Sequence, residues 1–312
     1  MESSTLERCA APLLNRYPAD MPATPLVPIR LSAEAPLIWC KLEFLNPSGS
    51  TKDRIARHIL GNAFDRGQVK PGGTVIEASS GSTSISMSLV CAQLGLQFIA
   101  VLPEGVSNER VLMIQAYGGT VHFAAKNAGM AGCIRESERL AAELGGFLPR
   151  QFANPENADA HQFGTAREIL EQIPGGRVDA VVSGVGTGGT LVGLMRGCSS
   201  RHAFLARPVD LSKTRETECC SFSCRIPGVM ECASHLFRES DYLNLSTIEV
   251  FDEEAIQTTR QLIRLGFPVG PSSGLNYRAA MLAAEQLGPA KIVTVLPDRM
   301  ERYFSTYLFQ AQ

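Results

Sequence analysis

The chain has 312 residues, with 29 Lys and Arg against 31 Asp and Glu, a formal net charge of −2 that gives no electrostatic case for nucleic acid or an anionic membrane as partner. A hydrophobic share of 45% beside a charged share of 19% excludes a disordered chain and predicts a buried core. Nine cysteines are too few for a disulfide scaffold, the best apolar run (89–102) is broken by Gln93, Gly95 and Gln97, and the opening MESSTLERCAAPLL has no basic start before an apolar core, so the expectation is a cytoplasmic protein with reduced thiols.

In chain order, NPSGSTKDR (46–54) joins a turn to a helical pattern, IARHIL (55–60), which places Lys52 in a first helical turn. TVIE (74–77) reads as a strand, 84–94 as a helix stopped by Gly95, and FIAVL (98–102) as a second strand ended by Pro103. A helix follows over 107–117, with Ser107 as N-cap and Gly118-Gly119 as its end, then a strand at 121–123 and a helix over 130–143. The pattern restarts with strands at 178–182, 204–209, 248–250 and 292–296 and helices at 190–196, 252–265 (Asp252 as N-cap) and 275–287. Alternation of this kind predicts parallel sheets with helices on their faces. NPEN (154–157) is a candidate junction between two α/β lobes; there is no fixed-period repeat and no low-complexity tract.

Three stretches carry chemistry. Lys52 puts a cation where backbone N–H groups already supply partial positive charge. A solvated surface lysine is the plain reading; an amine that works in its neutral form, as a nucleophile, is the functional one. EASSGSTS (77–84) joins a strand to a helix and offers N–H groups and hydroxyls to an anion. GVGTGGT (184–190) does the same with glycines that admit a phosphate. Gly184, Gly186 and Gly189 also satisfy the G-x-G-x-x-G pattern of a dinucleotide site, with Asp210 at a suitable distance, so an NAD(P)-dependent dehydrogenase competes on that segment. Cys219, Cys220, Cys224, Cys232 and His235 contain no C-x-x-C pair, so free thiols rather than a metal site are expected there. His58, His122, His161 and His202 are scattered and receive no role.

Together with Lys41-Leu42-Glu43, the segment around Lys52 resembles the K-x-E-x-x-N-P-x-x-S-x-K-D-R stretch of the pyridoxal-phosphate enzymes of the cysteine synthase and cystathionine β-synthase family. EASSGSTS, QFANP (151–155), GVGTGGT, GPSSG (270–274) and the ending VLPDRMERYFST resemble further family segments in the family order. The resemblance implies a two-domain, three-layer α/β/α fold of the tryptophan synthase β type (fold type II), with 1–43 plus 152–312 as the large cofactor domain and 44–151 as a smaller, mobile one. It implies pyridoxal 5'-phosphate as cofactor, held by Lys52 through a Schiff base, by Gly186, Thr187, Gly188, Gly189 and Thr190 at the phosphate, and by Ser272 at the pyridine nitrogen. Ser79, Ser80, Gly81, Thr83 and Gln151 would take the substrate carboxylate, and no metal is implied. The dinucleotide reading leaves the lysine and both serine loops unexplained.

Two departures stand out. The family pattern T-S-G-N-T-G is here Ser79-Ser80-Gly81-Ser82-Thr83-Ser84, so Ser82 replaces the asparagine that reaches the cofactor ring and Ser84 replaces a glycine. Of the family's glycine-rich loop, only Pro227-Gly228 remains in the cysteine-rich stretch. The reaction implied is β-replacement on O-acetylserine or O-phosphoserine through an aminoacrylate, with Lys52 as general base and sulfide or another small nucleophile as acceptor. Diaminopropionate or S-sulfocysteine synthesis and a β-eliminating lyase are the alternatives, beside a degenerate cofactor-binding interaction protein. With no haem-binding extension or regulatory domain in the chain, a haem-regulated form is not expected; a homodimer is.

Overall fold

The computed structural model describes residues 22–125, 128–210, 225–229 and 234–309. Two compact units are present, one holding Lys52–Arg150, the other Thr24–Thr51 and Gln151–Gln312. Cys219, Cys220, Cys224 and Cys232 lie outside the described residues.

The chain opens in the larger unit with β1 (Leu26–Ile29) and β2 (Ile38–Lys41). It then builds the smaller unit from α1 (Lys52–Asp65), β3 (Thr74–Ala78), α2 (Ser82–Leu94), β4 (Gln97–Leu102), α3 (Asn108–Ala116), β5 (Thr120–Phe123) and α4 (Gly129–Leu144). The larger unit is completed by α5 (Glu156–Ala160), a wide π-type turn (His161–Ala166), α6 (Arg167–Gln172), β6 (Ala180–Ser183), α7 (Gly189–Cys198), β7 (His202–Val209), β8 (Leu245–Phe251), α8 (Asp252–Arg264), α9 (Pro271–Leu287) and β9 (Ile292–Val295).

In the smaller unit β3, β4 and β5 are parallel in that order, with Thr74 opposite Gln97 and Ile99 opposite Thr120. Period-2 alternation decides which side chains meet which helices. Val75, Phe98, Ala100 and Leu102 join Ala56 and Leu60 of α1, Ile85 and Val90 of α2 and Ile114 of α3 in one core. The six strands of the larger unit run in the order β1-β2-β9-β6-β7-β8, all pairs parallel except β1–β2.

Neighbouring residues of one strand go to opposite faces of that sheet. Val182, Phe204, Ala206 and Ile292 pack with Ala255 and Leu262 of α8 and Leu275 and Ala279 of α9. Val181, Ala203, Leu205 and Val293 pack with Ile169 of α6 and Leu191 and Leu194 of α7. Strands apolar on both sides read as continuous runs, as parallel strands between helix layers must. The α/β fold expected from the sequence is the fold observed.

Several boundaries differ from the sequence expectations. The β1–β2 pair was not expected, because β2 ends on a charge. Lys41 is fully buried there; its Nζ donates to the Thr24 carbonyl and pairs with Glu168 Oε2 at 2.7 Å. The partner that makes a lysine tolerable in the core is remote in sequence. Asp252 is the first residue of α8 rather than its N-cap; Phe251 takes the extended cap conformation, and its N–H donates to Glu254 Oε2 at 3.3 Å. α9 begins at Pro271, a residue preorganised for a first helical position, so the serines after it are helical.

Cys40, Cys91, Cys133 and Cys198 are unpaired and buried. Burial pushes Cys133 up to about 11 and Cys198 up to about 12, and raises Cys40 and Cys91 as well. Few thiolates form at neutral pH, so iodoacetamide should leave these four unmodified in the folded protein and label them once it is unfolded. Peptide mapping by mass spectrometry checks this; labelling of any of the four before unfolding contradicts the packing.

Candidate active site

In the smaller unit, β3 runs into α2 through the turn 79–81. The Ser79 N–H donates to the Val101 carbonyl at 3.1 Å, which carries the sheet pairing one step past β3. Gly81 has φ +127°, and a Cβ there would overlap the side chain of Arg110, itself almost fully buried. Only glycine fits on both counts. Ser82 and Thr83 are the first residues of α2, the end of a helix whose dipole favours an anion. Ser79 Oγ accepts from the N–H groups of Gly81 (3.0 Å) and Ser84 (3.3 Å). Lys52 is partly exposed and is the first residue of α1, the end at which the helix dipole does not favour a cation.

In the larger unit, β6 runs into α7 through 184–188. The Gly184 N–H donates to Asn276 Oδ1 (2.7 Å), and Asn276 Nδ2 donates to the Val295 carbonyl (2.9 Å). One buried amide on α9 thereby fixes where the loop leaves the sheet. Gly188 sits at φ +88°, and a Cβ on Gly186 would overlap the Gly228 carbonyl. A Cβ on Gly189 would overlap Asn157, whose Nδ2 donates to Thr187 Oγ1 (2.9 Å) and to the Gln151 carbonyl (2.7 Å). The structure thus brings Gln151 together with Thr187 through Asn157. Thr190 Oγ1 lies 3.2 Å from His161 Nε2, and His161 Nδ1 lies 2.9 Å from Thr165 Oγ1. Ser234 Oγ donates to the Thr187 carbonyl at 2.5 Å. Ser272, partly exposed, is in the first turn of α9.

The residues just before Lys52 also belong to the larger unit. Fully buried Glu43 accepts from Thr24 Oγ1 (2.7 Å) and Asn46 Nδ2 (3.0 Å). Thr51 N–H donates to the Pro297 carbonyl (2.8 Å), and the buried Arg302 guanidinium donates to the carbonyls of Gly49 (3.0 Å) and Ser48 (2.5 Å). The outer residues of the lysine motif and the C-terminal segment therefore hold this backbone in place. Sequence reasoning gave no role to Glu43, Asn46, Asn157, His161, Asn276 or Arg302. Each works through a remote partner, and only position in a motif marked some of them. Among the described residues no cluster of three or more His, Cys, Asp or Glu could hold a metal ion.

The loop 184–190 fits a phosphate. Its glycines sit where a side chain would collide, and it opens the N-terminus of a ten-residue helix, where free N–H groups and the helix dipole favour an anion. Fold and site together define an α/β protein that binds a phosphate-bearing cofactor.

The chain belongs to the pyridoxal-phosphate dependent enzyme family, whose model matches residues 20–298. Cysteine synthase B of Campylobacter jejuni is 37% identical over 277 residues, 87% of this chain and 91% of that protein. Among solved structures, O-ureido-L-serine synthase is 32% identical with a TM-score of 0.81, covering 92% of each chain. The O-acetylserine dependent cystathionine β-synthase of Helicobacter pylori is 29% identical with a TM-score of 0.83, covering 93% of this chain and 96% of that one. The cofactor is pyridoxal phosphate, and the protein is an enzyme of the transferase and lyase type. The dehydrogenase alternative at Gly184–Gly189 gives way to this assignment.

Proposed function

We propose that the protein catalyses β-replacement on an activated L-serine, O-acetylserine or O-phosphoserine, with sulfide or another small nucleophile as second substrate. The relatives named above make cysteine, cystathionine and O-ureido-L-serine, all alanines carrying a different group at the β-carbon. One frame serving several acceptors makes the activated serine the firmer part of the reading. The observation that carries it is Asn157, which ties the phosphate cradle at Thr187 to the backbone of Gln151, so that cofactor and substrate recognition share one rigid element.

Bound pyridoxal phosphate supplies an aldehyde that condenses with amines and a ring that accepts electron density from the substrate. In this reading Gly186, Thr187, Gly188, Gly189 and Thr190 would hold its phosphate, Ser272 its ring nitrogen, and Ser82 would contact its ring. The turn from Ser79 through Ser80, Gly81 and Thr83, together with Gln151, takes the substrate carboxylate. Lys52 would hold the cofactor through its amine and, as general base beside the substrate, would remove the α-proton and later return it. That the smaller unit is mobile belongs to the same proposal, as does a homodimer, which light scattering tests. A reducing cytoplasm is supported by four buried, unpaired cysteines. No helix among the described residues is long and apolar enough to cross a membrane.

The test is direct. Purified protein should be yellow, bleach with borohydride, change its spectrum with O-acetylserine or O-phosphoserine, and release a β-substituted alanine when sulfide or another acceptor is added. Release of pyruvate alone from both serine esters would make it a lyase instead. Ser272→Asp supplies a second check. A carboxylate at the pyridine nitrogen keeps a proton there and deepens the electron sink, whereas a hydroxyl does not. Ser272→Asp should therefore gain side reactions at the α-carbon, transamination first, at the expense of β-replacement; an unaltered product profile would count against the assignment of Ser272.

A further inference from the structure

The serine turn holds one hydroxyl beyond those its own backbone needs. A serine hydroxyl has one proton and two lone pairs. Ser79 Oγ already accepts two N–H groups, from Gly81 and Ser84. Ser79 Oγ and Ser84 Oγ lie 2.6 Å apart. Either hydroxyl can supply the proton of that contact; in both cases it holds Ser79 Oγ where it accepts the two N–H groups. The two side chains are 1% and 0% exposed, so water cannot substitute for either.

Ser84 is itself fixed from behind. It lies in the first turn of α2, its carbonyl accepts from Ser88 Oγ at 2.7 Å, and Ser88 Oγ packs against Gly119, where a Cβ would approach it to 2.7 Å. Fully buried, Ser84 does not reach a bound molecule. Its hydroxyl holds Ser79 in the rotamer that accepts the turn's two N–H groups. Without it, that rotamer loses its buried hydroxyl partner and Ser79 is freer to rotate away from the N–H groups.

We infer that Ser84 is a positioning residue for the amino-acid carboxylate: through Ser79 it locks the 79–83 turn in its anion-binding shape before substrate arrives. This rests on the reading of that turn as the carboxylate site. Preorganisation of this kind shows in binding rather than in the chemical step. Ser84 is also one of the two positions at which this turn departs from the family pattern.

The test compares wild type with Ser84→Ala, Ser84→Gly and Ser79→Ala/Ser84→Ala as holoenzymes. Amide hydrogen exchange is read at Gly81 and Ser84 without substrate, and O-acetyl-L-serine is titrated kinetically. Ser84→Ala should speed exchange at both amides about tenfold and raise KM about tenfold, the size of one hydrogen bond, with kcat within about twofold. Ser84→Gly should follow it, and the double variant should speed exchange and raise KM further than Ser84→Ala alone, because it also removes the oxygen that accepts the Gly81 and Ser84 N–H groups. Unchanged exchange at Gly81 and Ser84, or a fall in kcat at constant KM, overturns the inference. If wild type shows no turnover of O-acetyl-L-serine, the proposed reaction fails, while the exchange comparison still decides whether Ser84 locks the turn.

Discussion

Lys52→Ala should lose at least about a thousandfold in turnover, since the proposed function asks one residue both to anchor the cofactor and to move the α-proton, and general acid–base catalysis by a positioned side chain alone contributes ~10²–10⁴. The position explains why no neighbour replaces it. Lys52 is the first residue of α1, and Asp53 beside it is buried, so the amine extends from a backbone already fixed by helix geometry. The lysine of the same motif that is fully buried, Lys41, is committed to Glu168 and the Thr24 carbonyl and cannot turn to other work. The measurement is mass spectrometry of the borohydride-treated protein: wild type should carry the cofactor mass on the peptide containing Lys52, and the variant none. Attachment at any other lysine in wild type would remove Lys52 from its role. Far-ultraviolet circular dichroism should be unchanged, because lysine at this end of a helix gains nothing from the dipole.

Much of the fold was legible because burial on two faces leaves a plain trace. Val181 and Val182 are adjacent and both apolar because each meets a different helix layer, and the same holds for Phe204 and Leu205. The glycine turns were legible for a related reason. Glycine between a strand and a helix is costly in backbone entropy unless a close approach requires it, and Gly81, Gly186 and Gly189 all stand where a Cβ would collide. Illegible were the features whose reason lies elsewhere in the chain. β2 ends on a lysine that only Glu168 makes tolerable. The helical stretch from Glu156 to Gln172 was hidden behind an Asn-Pro signal that reads as loop, although Pro155 takes helical angles there and the wide turn after it packs His161 against Thr190. A π-type turn of this sort has no sequence signature and is often found at functional sites.

Arg302 supplies the second large effect. Its side chain is 1% exposed, and its guanidinium spans the carbonyls of Ser48 and Gly49 on the backbone that leads into Lys52. The Gly49 carbonyl accepts from the Arg299 N–H as well, and Ser50 bridges Asp298, so the C-terminal segment grips this loop from several sides. Removing the guanidinium leaves buried carbonyls short of a charged donor and opens a cavity. At about 1.5–3 kcal/mol for each hydrogen bond to a charged group, Arg302→Met should cost roughly 3 kcal/mol or more of stability. Arg302→Lys should recover little, because an ammonium is a point donor and does not reproduce a planar fork across two carbonyls. Thermal unfolding checks the first claim. Retention of cofactor through gel filtration at a temperature where both variants remain folded checks the second, and it separates a structural role from a positioning one. A clamp that only stabilises the unit leaves retention at the wild-type level below the unfolding transition. A clamp that sets the approach to Lys52 lowers retention in both variants while circular dichroism still reports native helix content.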